Sequence, residues 1–179
     1  MGAIVLCRHG VTHANAAGQF LSRTDVHLSE AGEAQCRSLP SWLAEFEFER
    51  CLVSPMRRCL QTRAIVAPNI SFETYAALRE IDFGTWEGVT LDWLEAHDAE
   101  GLAQRRRDPV RFRPPAGESF EDVARRLEPL VETLKSAGSA LVIAHRGTLG
   151  VLERLLRGLP LESQAVRPFE PAEFRILIV

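Results

Sequence analysis

Two histidines, His9 and His145, each follow an unbroken apolar run and each stand beside an arginine and a glycine. Ala3 to Cys7 runs into Arg8-His9-Gly10, and Ala140 to Ala144 runs into His145-Arg146-Gly147. Such a run predicts a strand covered by helices on both faces. A histidine at its end is delivered to the rim of the sheet, where an imidazole serves as nucleophile or proton carrier. Two such ends from distant parts of the chain predict one site built for an anion.

The anion that suits these groups is a phosphoryl group. Helix N-termini carry unpaired N–H groups and partial positive charge, and the segments starting at Ser54 and Gly147 both offer them. Arg8 and an arginine of the first turn after Ser54, Arg57 or Arg58, add planar forks that grip oxygens in pairs. Each charge-assisted bond is worth about 1.5–3 kcal/mol. The cradle also matches the three equatorial oxygens of a phosphoryl group in flight. A neutral imidazole inside it can attack phosphorus, and nearby cations keep it neutral. The leaving alkoxide then needs a proton. Glu80, in Leu78-Arg79-Glu80-Ile81-Asp82-Phe83-Gly84, is the best-placed acid, with Glu118 as the fallback.

Elements that must position these groups are legible in outline. Residues 3–8 and 139–144 are expected as central strands, 51–53 as a third, 70–72 as a fourth and 174–179 as a fifth. Ser54-Pro55 predicts a capped helix running to about Ala67. Ser29 predicts a helix over 30–46 interrupted near Pro40. Ser119, with Asp122 three residues on, predicts a long helix with an apolar stripe from Phe120 to Leu134, kinked at Pro129. Residues 147–157 are expected as a helix closed by Gly158. The stretches 9–28 and 99–118 are expected to be rich in loops. Alternating strands and helices predict an α/β fold, a three-layer α/β/α sandwich with a mixed, mostly parallel central sheet, as a single domain over residues 1–179. In such sheets the ligand lies beyond the carboxyl ends of the strands, which selects the same three segments.

Composition removes several alternatives. The 179 residues are 46% hydrophobic and 25% charged, with a net charge of −3, which argues against nucleic acid as a partner. The basic run from Arg105 to Arg113 has only Phe112 as an interleaved aromatic, so it is expected at a surface or pocket rim; Arg106 and Arg107 are candidates for recognising a second anionic group of a substrate. Lys135 is the only lysine, so an arginine is informative only where a strand or helix end also fixes it. Cys7, Cys36, Cys51 and Cys59 form no C-x-x-C pair, so neither a zinc site nor a disulfide framework is expected, and Cys7 and Cys51 lie in apolar strand-like runs where a free thiol acts as a small hydrophobe. No run reaches the roughly 18 apolar residues of a membrane span, and the expected location is the cytoplasm.

Four segments resemble, in order, the histidine phosphatase (phosphoglycerate-mutase-like) family. Arg8-His9-Gly10-Val11-Thr12-His13-Ala14-Asn15 is similar to its R-H-G-x-T-x-x-N opening, and Ser54 to Thr62 to its S-P-x-x-R-x-x-Q-T segment. Leu78 to Gly88, L-R-E-I-D-F-G-T-W-E-G, is similar to a third, and Ala144-His145-Arg146-Gly147 resembles the second histidine motif; Gly117-Glu118-Ser119 adds to the match. The resemblance implies that His9 is the phosphorylated nucleophile and that Arg8, Arg58 and His145 hold the phosphoryl oxygens. It implies that Asn15 orients phosphate or substrate and that Glu80 is first acid and then base. It selects Arg58 over Arg57, which lies about 100° away around the helix, and it implies no metal and no cofactor. Arg146 and Gly147 are expected to border the phosphate.

Segment 21–29 and the F-G-T-W-E-G stretch resemble the α-ribazole phosphatases of this family, with Ser22 where glycine is familiar and His27 where proline is. The implied reaction is hydrolysis of a small-molecule phosphomonoester, α-ribazole 5′-phosphate among the candidates. Phosphoglycerate mutase chemistry and a non-catalytic phosphate-binding module are the alternatives. Hydrolysis is favoured over the mutase because the chain is shorter than the mutases it resembles and ends at a predicted strand. His13, His27 and His97 are expected at the rim or surface, and Trp86 and Trp93 in the core rather than in a pocket wall.

Overall fold

A computed structural model describes residues 2–178. Five strands form one sheet: β1 (Ala3–Arg8), β2 (Arg50–Val53), β3 (Glu73–Thr74), β4 (Ser139–Ala144) and β5 (Phe174–Ile178). Their spatial order is β3-β2-β4-β1-β5, all parallel except β5, which runs antiparallel to β1. The two unbroken apolar runs are the adjacent central strands β4 and β1, as expected. The fourth strand is not 70–72 but the two residues Glu73 and Thr74. Both are exposed, so no apolar pattern marks them. The last predicted residue of the fifth strand, Val179, lies outside the described residues.

The eight described α-helices are α1 (His13–Ala16), α2 (Glu30–Arg37), α3 (Trp42–Glu45), α4 (Arg57–Val66), α5 (Leu91–His97), α6 (Ala99–Arg107), α7 (Phe120–Ser136) and α8 (Arg146–Leu156). Side chains alternate across the pleat and so divide the core in two. Ile4, Leu6, Val142 and Ala144 face α7 and α8. Val5, Cys7, Leu141 and Ile143 face the layer containing α2 and α4. The result is the expected three-layer sandwich. Ser119 and Asp122 form a capping box on α7, which spans Pro129. The N–H groups of Gly158 and Leu159 close α8 onto the carbonyls of Leu155 and Arg154, with Gly158 at φ +65°, a conformation that glycine adopts without strain.

Two expectations fail informatively. Residues 99–107 are helical rather than loop. In this helix only Leu102 is buried, so no apolar stripe announces it. A third, smaller apolar cluster of Trp86, Leu94 and Leu102 anchors α5 and α6. The helix after β2 starts at Arg57, with Met56 at its N-cap, so Ser54 is not a cap. All four cysteines are buried and free. No described helix is long and apolar enough to cross a membrane.

Candidate active site

The parallel register fixes the centre of the site. Arg8 pairs with Ala144 and Val53 with Ile143, so His9 and His145 leave neighbouring strands side by side while Ser54 leaves the third. The His9 N–H donates to the Ala144 carbonyl at 3.1 Å. The two imidazoles meet edge to face with centroids 5.1 Å apart, and both are buried, at 3% and 0% exposure. His9 Nδ1 lies 2.7 Å from the Gly10 carbonyl oxygen. A carbonyl only accepts, so Nδ1 carries the proton and Nε2 keeps its lone pair. His145 Nδ1 faces the Nε–H of Arg58 at 3.3 Å, and its Nε2 faces Ser54 Oγ at 2.8 Å. A guanidinium only donates, so Nδ1 is the acceptor and Nε2–H donates to the serine. Burial, then Arg58 and Arg8, hold His9 well below the ordinary histidine range; burial, then Arg58 and His9, do the same to His145.

Arg58, not Arg57, faces this centre, as the motif implied. Arg58 is fully buried and donates through Nη1 and Nη2 to the carbonyls of Thr24 and Ser22, each at 3.0 Å. Those bonds use one N–H on each terminal nitrogen and leave the other for a ligand. Arg57 turns outward to Asp25 and His27. Arg8 donates to the Phe169 carbonyl at 2.7 Å, while its buried Nε has no partner. A buried donor without an acceptor is costly, and here it borders a cleft that an anion can enter.

Glu80 stands at the N-terminus of α8. Its Oε1 accepts from the N–H groups of Ile81 and Thr148, and its Oε2 from that of Gly147 at 3.0 Å. A Cβ at Gly147 would lie 2.8 Å from Glu80 Oε1 and would push that carboxylate from its seat. This corrects the expected cradle. The first N–H groups of α8 hold Glu80, and that of Arg57 in α4 donates to Asp25 at 2.7 Å. Carboxylates therefore occupy both helix ends. The donors left free beside the histidines are those of the arginines, and the Gly147 N–H is engaged by Glu80. Glu118 is engaged elsewhere, accepting from Asp82 N–H and pairing with Arg126 at 3.1 Å. Arg126 also donates to the carbonyls of Ala77, Arg79 and Glu80, bracing the segment that carries Glu80.

Arg8, Glu80, Asn15, Arg146 and Gly147 all line one cleft of about 800 Å³. Asn15 Oδ1 accepts from Thr12 N–H in a capping box on α1, which leaves its amide N–H groups for the cleft. Arg146 is exposed at the mouth. Trp86 is buried, as expected, whereas Trp93 is 45% exposed and stacks on His97, so it is neither core nor wall. Arg106 and Arg107 pair outward with Glu95 and Glu100; the arginine of that run which enters the cleft is Arg105.

Several residues that build the site carry no separate signal in the sequence. Ser54 binds His145. Glu87 accepts from the N–H groups of Ser22 and Thr24 and from the Ser22 hydroxyl, which fixes the two carbonyls that hold Arg58. Burial opposes the charge on Glu87, but these hydrogen bonds outweigh it and lower its pKa. Gln61 accepts from Leu28 N–H, and Thr62 from Gly10 N–H. Their place in a recognisable motif was the only hint of these roles.

Known proteins resemble this chain in sequence and fold. The mouse 6-phosphofructo-2-kinase/fructose-2,6-bisphosphatase 1 is 34% identical over 152 residues, covering 84% of this chain but 31% of its own length; the chain thus spans about a third of that relative. The α-ribazole phosphatase of Shigella flexneri superposes with a TM-score of 0.88 at 26% identity, covering 99% of this chain and 90% of that one. A mycobacterial glucosyl-3-phosphoglycerate phosphatase in complex with VO3 superposes at 0.89 with 27% identity, covering 99% and 93%. The model of the histidine phosphatase superfamily (branch 1) matches residues 4–179, and the chain belongs to that family.

Proposed function

We propose that the protein is a phosphomonoester hydrolase working through a phosphohistidine on His9. The observation that carries this reading is the His9 ring itself. It is buried between arginines and pinned by its Nδ1–H to Gly10, with the Nε2 lone pair left as nucleophile. Nε2 attacks phosphorus as the bond from phosphorus to the ester oxygen breaks. The free N–H groups of Arg8 and Arg58 take the charge on the transferring oxygens. His145 and Asn15 border the same group. Glu80 gives its proton to the departing alkoxide. The carboxylate then takes a proton from water as that water attacks the phosphohistidine, releasing phosphate and restoring both groups. Of its two oxygens, Oε2 holds a single backbone bond and is the one free to carry the proton.

Charge neutralisation falls to the arginines, so the reading needs no metal, and a chelator should leave turnover unchanged. The substrate is a small phosphorylated metabolite. α-Ribazole 5′-phosphate and glucosyl-3-phosphoglycerate, named in the relatives, are the first two to try, and a cleft of about 800 Å³ accommodates bodies of that size. The test is rapid quenching with a ³²P-labelled monoester. An acid-labile, base-stable phosphoenzyme is expected in the wild type and absent in His9→Ala, whose turnover falls by about four orders of magnitude or more. Undiminished ester cleavage by His9→Ala would end the proposal.

A further inference from the structure

The cleft lined by Arg8 and Glu80 is walled by Phe20, Phe83, Val110 and Phe120, and Arg105 and Arg146 line it with them. The Arg105 guanidinium lies over the rings of Phe20 and Trp86, 5.3 and 5.7 Å from their centroids, contacts that fix its position. Its neighbours on α6 behave differently, since Arg106 and Arg107 each find a surface carboxylate. Among the described residues neither Arg105 nor Arg146 has an ion-pair partner, although ion pairs occupy most arginines of this chain. Besides Glu80, the one described carboxylate lining the cleft is Glu162, which is exposed and pairs with neither. Arg154 also lines the cleft, but its guanidinium donates to the carbonyls of Gly150, Ser163 and Val166; Arg105 and Arg146 have no such acceptor among the described residues, and burial, then Arg146, disfavours the charge on Arg105.

Resting on the hydrolase reading, we propose that the space between Arg105 and Arg146 receives a second anionic group of the substrate. The preferred substrates are then phosphomonoesters that also carry a carboxylate or phosphate, joined to the reacting group by a body with an apolar face. A guanidinium clamped on aromatic rings has little rotamer freedom left to lose when it binds an oxyanion. An ester with a neutral body would leave both charges facing apolar walls without a counter-ion. Arg105 is thereby a specificity-determining residue, acting on a part of the substrate remote from phosphorus.

Calorimetry with non-hydrolysable phosphonates tests this apart from turnover. Phosphonoacetate, 3-phosphonopropionate and 4-phosphonobutyrate are each compared with the alkylphosphonate of equal chain length, on the wild type, R105Q, R105K and R106Q. In the wild type the carboxylate is expected to tighten binding about tenfold at the best chain length, the size of one charge-assisted bond. That ratio, taken within each variant, falls to near one in R105Q, is partly kept in R105K and is unchanged in R106Q. Equal affinities within every pair in the wild type, or a ratio that survives R105Q, overturn the inference. If the alkylphosphonates bind and simple aryl phosphates are hydrolysed, the hydrolase reading stands even then. If no phosphonate binds and no ester is cleaved, both fail together.

Discussion

The two ends of the site are built on opposite rules. At the histidine end the two imidazoles and the carboxylate have fixed protein partners: His9 has Gly10, His145 has Ser54 and Arg58, and Glu80 has Gly147 and Thr148. At the arginine end, where Arg105 and Arg146 line the cleft, the two guanidinium groups have none among the described residues. The first end is organised before any ligand arrives, which is what stabilising a short-lived charge distribution requires. The second is completed by a ligand, which is what choosing among ligands requires. Substitutions at the first end should depress all substrates alike, and substitutions at the second should reorder them.

The sharpest way to break this contrast is Glu80→Gln. The amide keeps the shape but has no carboxyl proton to deliver, and kcat for alkyl phosphates should fall by 10²–10⁴, roughly the range for general acid catalysis. An aryl phosphate, whose phenolate leaves unaided, should lose far less, so comparing the two esters in one kinetic series isolates the proton. Equal losses for both would move the acid elsewhere, Glu118 first.

A smaller, uniform effect is expected from the clamp behind Arg58. Ser22→Gly removes one hydroxyl bond to Glu87, and Glu87→Gln removes the carboxylate that gathers Ser22 and Thr24. Each should lower kcat/KM about tenfold, the cost of roughly one buried hydrogen bond to a charged group, by the same factor for carboxylated and neutral esters. A change of substrate preference in either variant would show that the two ends are not separable.

The smallest effect is on stability. Burial and the arginines hold His9 and His145 neutral well below the usual range, whereas the unfolded chain takes up those protons near pH 6.5. Below that pH the unfolded state binds more protons than the folded one, so stability is fully present above about pH 6.5 and declines as pH falls. Between pH 7.5 and 6 the loss is about 0.8 kcal/mol for each histidine. Urea unfolding of His145→Asn against wild type at the two pH values should show the slope reduced by about that amount; an identical slope would mean that His145 is not held neutral.

Much of this was legible in the chain, and the boundary has physical causes. β1 and β4 announce themselves because strands buried on both faces must be apolar at every position. Their parallel register then brings His9 to His145. The exposed pair Glu73–Thr74 has no buried face and leaves no pattern, and α6 hides because its single buried residue makes no stripe. Ser54 looked like a helix cap because Ser-Pro commonly is one; it is instead the last step off β2, turned toward His145. Glu80 was recognisable by type and motif, but its seat on the α8 N-terminus joins residues 67 positions apart, and no local rule reports such a contact. The arginine run showed the same limit: its charge was plain, while which member turned inward depended on how α6 settles on Trp86 and Leu102.

The four buried thiols have a practical consequence. Burial pushes Cys59, beside His145, up to about 12, and Cys51 up to about 11. At neutral pH almost none of either is thiolate, the form that reacts with alkylating agents. Iodoacetamide should therefore spare the native molecule and label it only as fast as it opens. The cysteines thus supply a built-in clock for unfolding, one that needs no added dye.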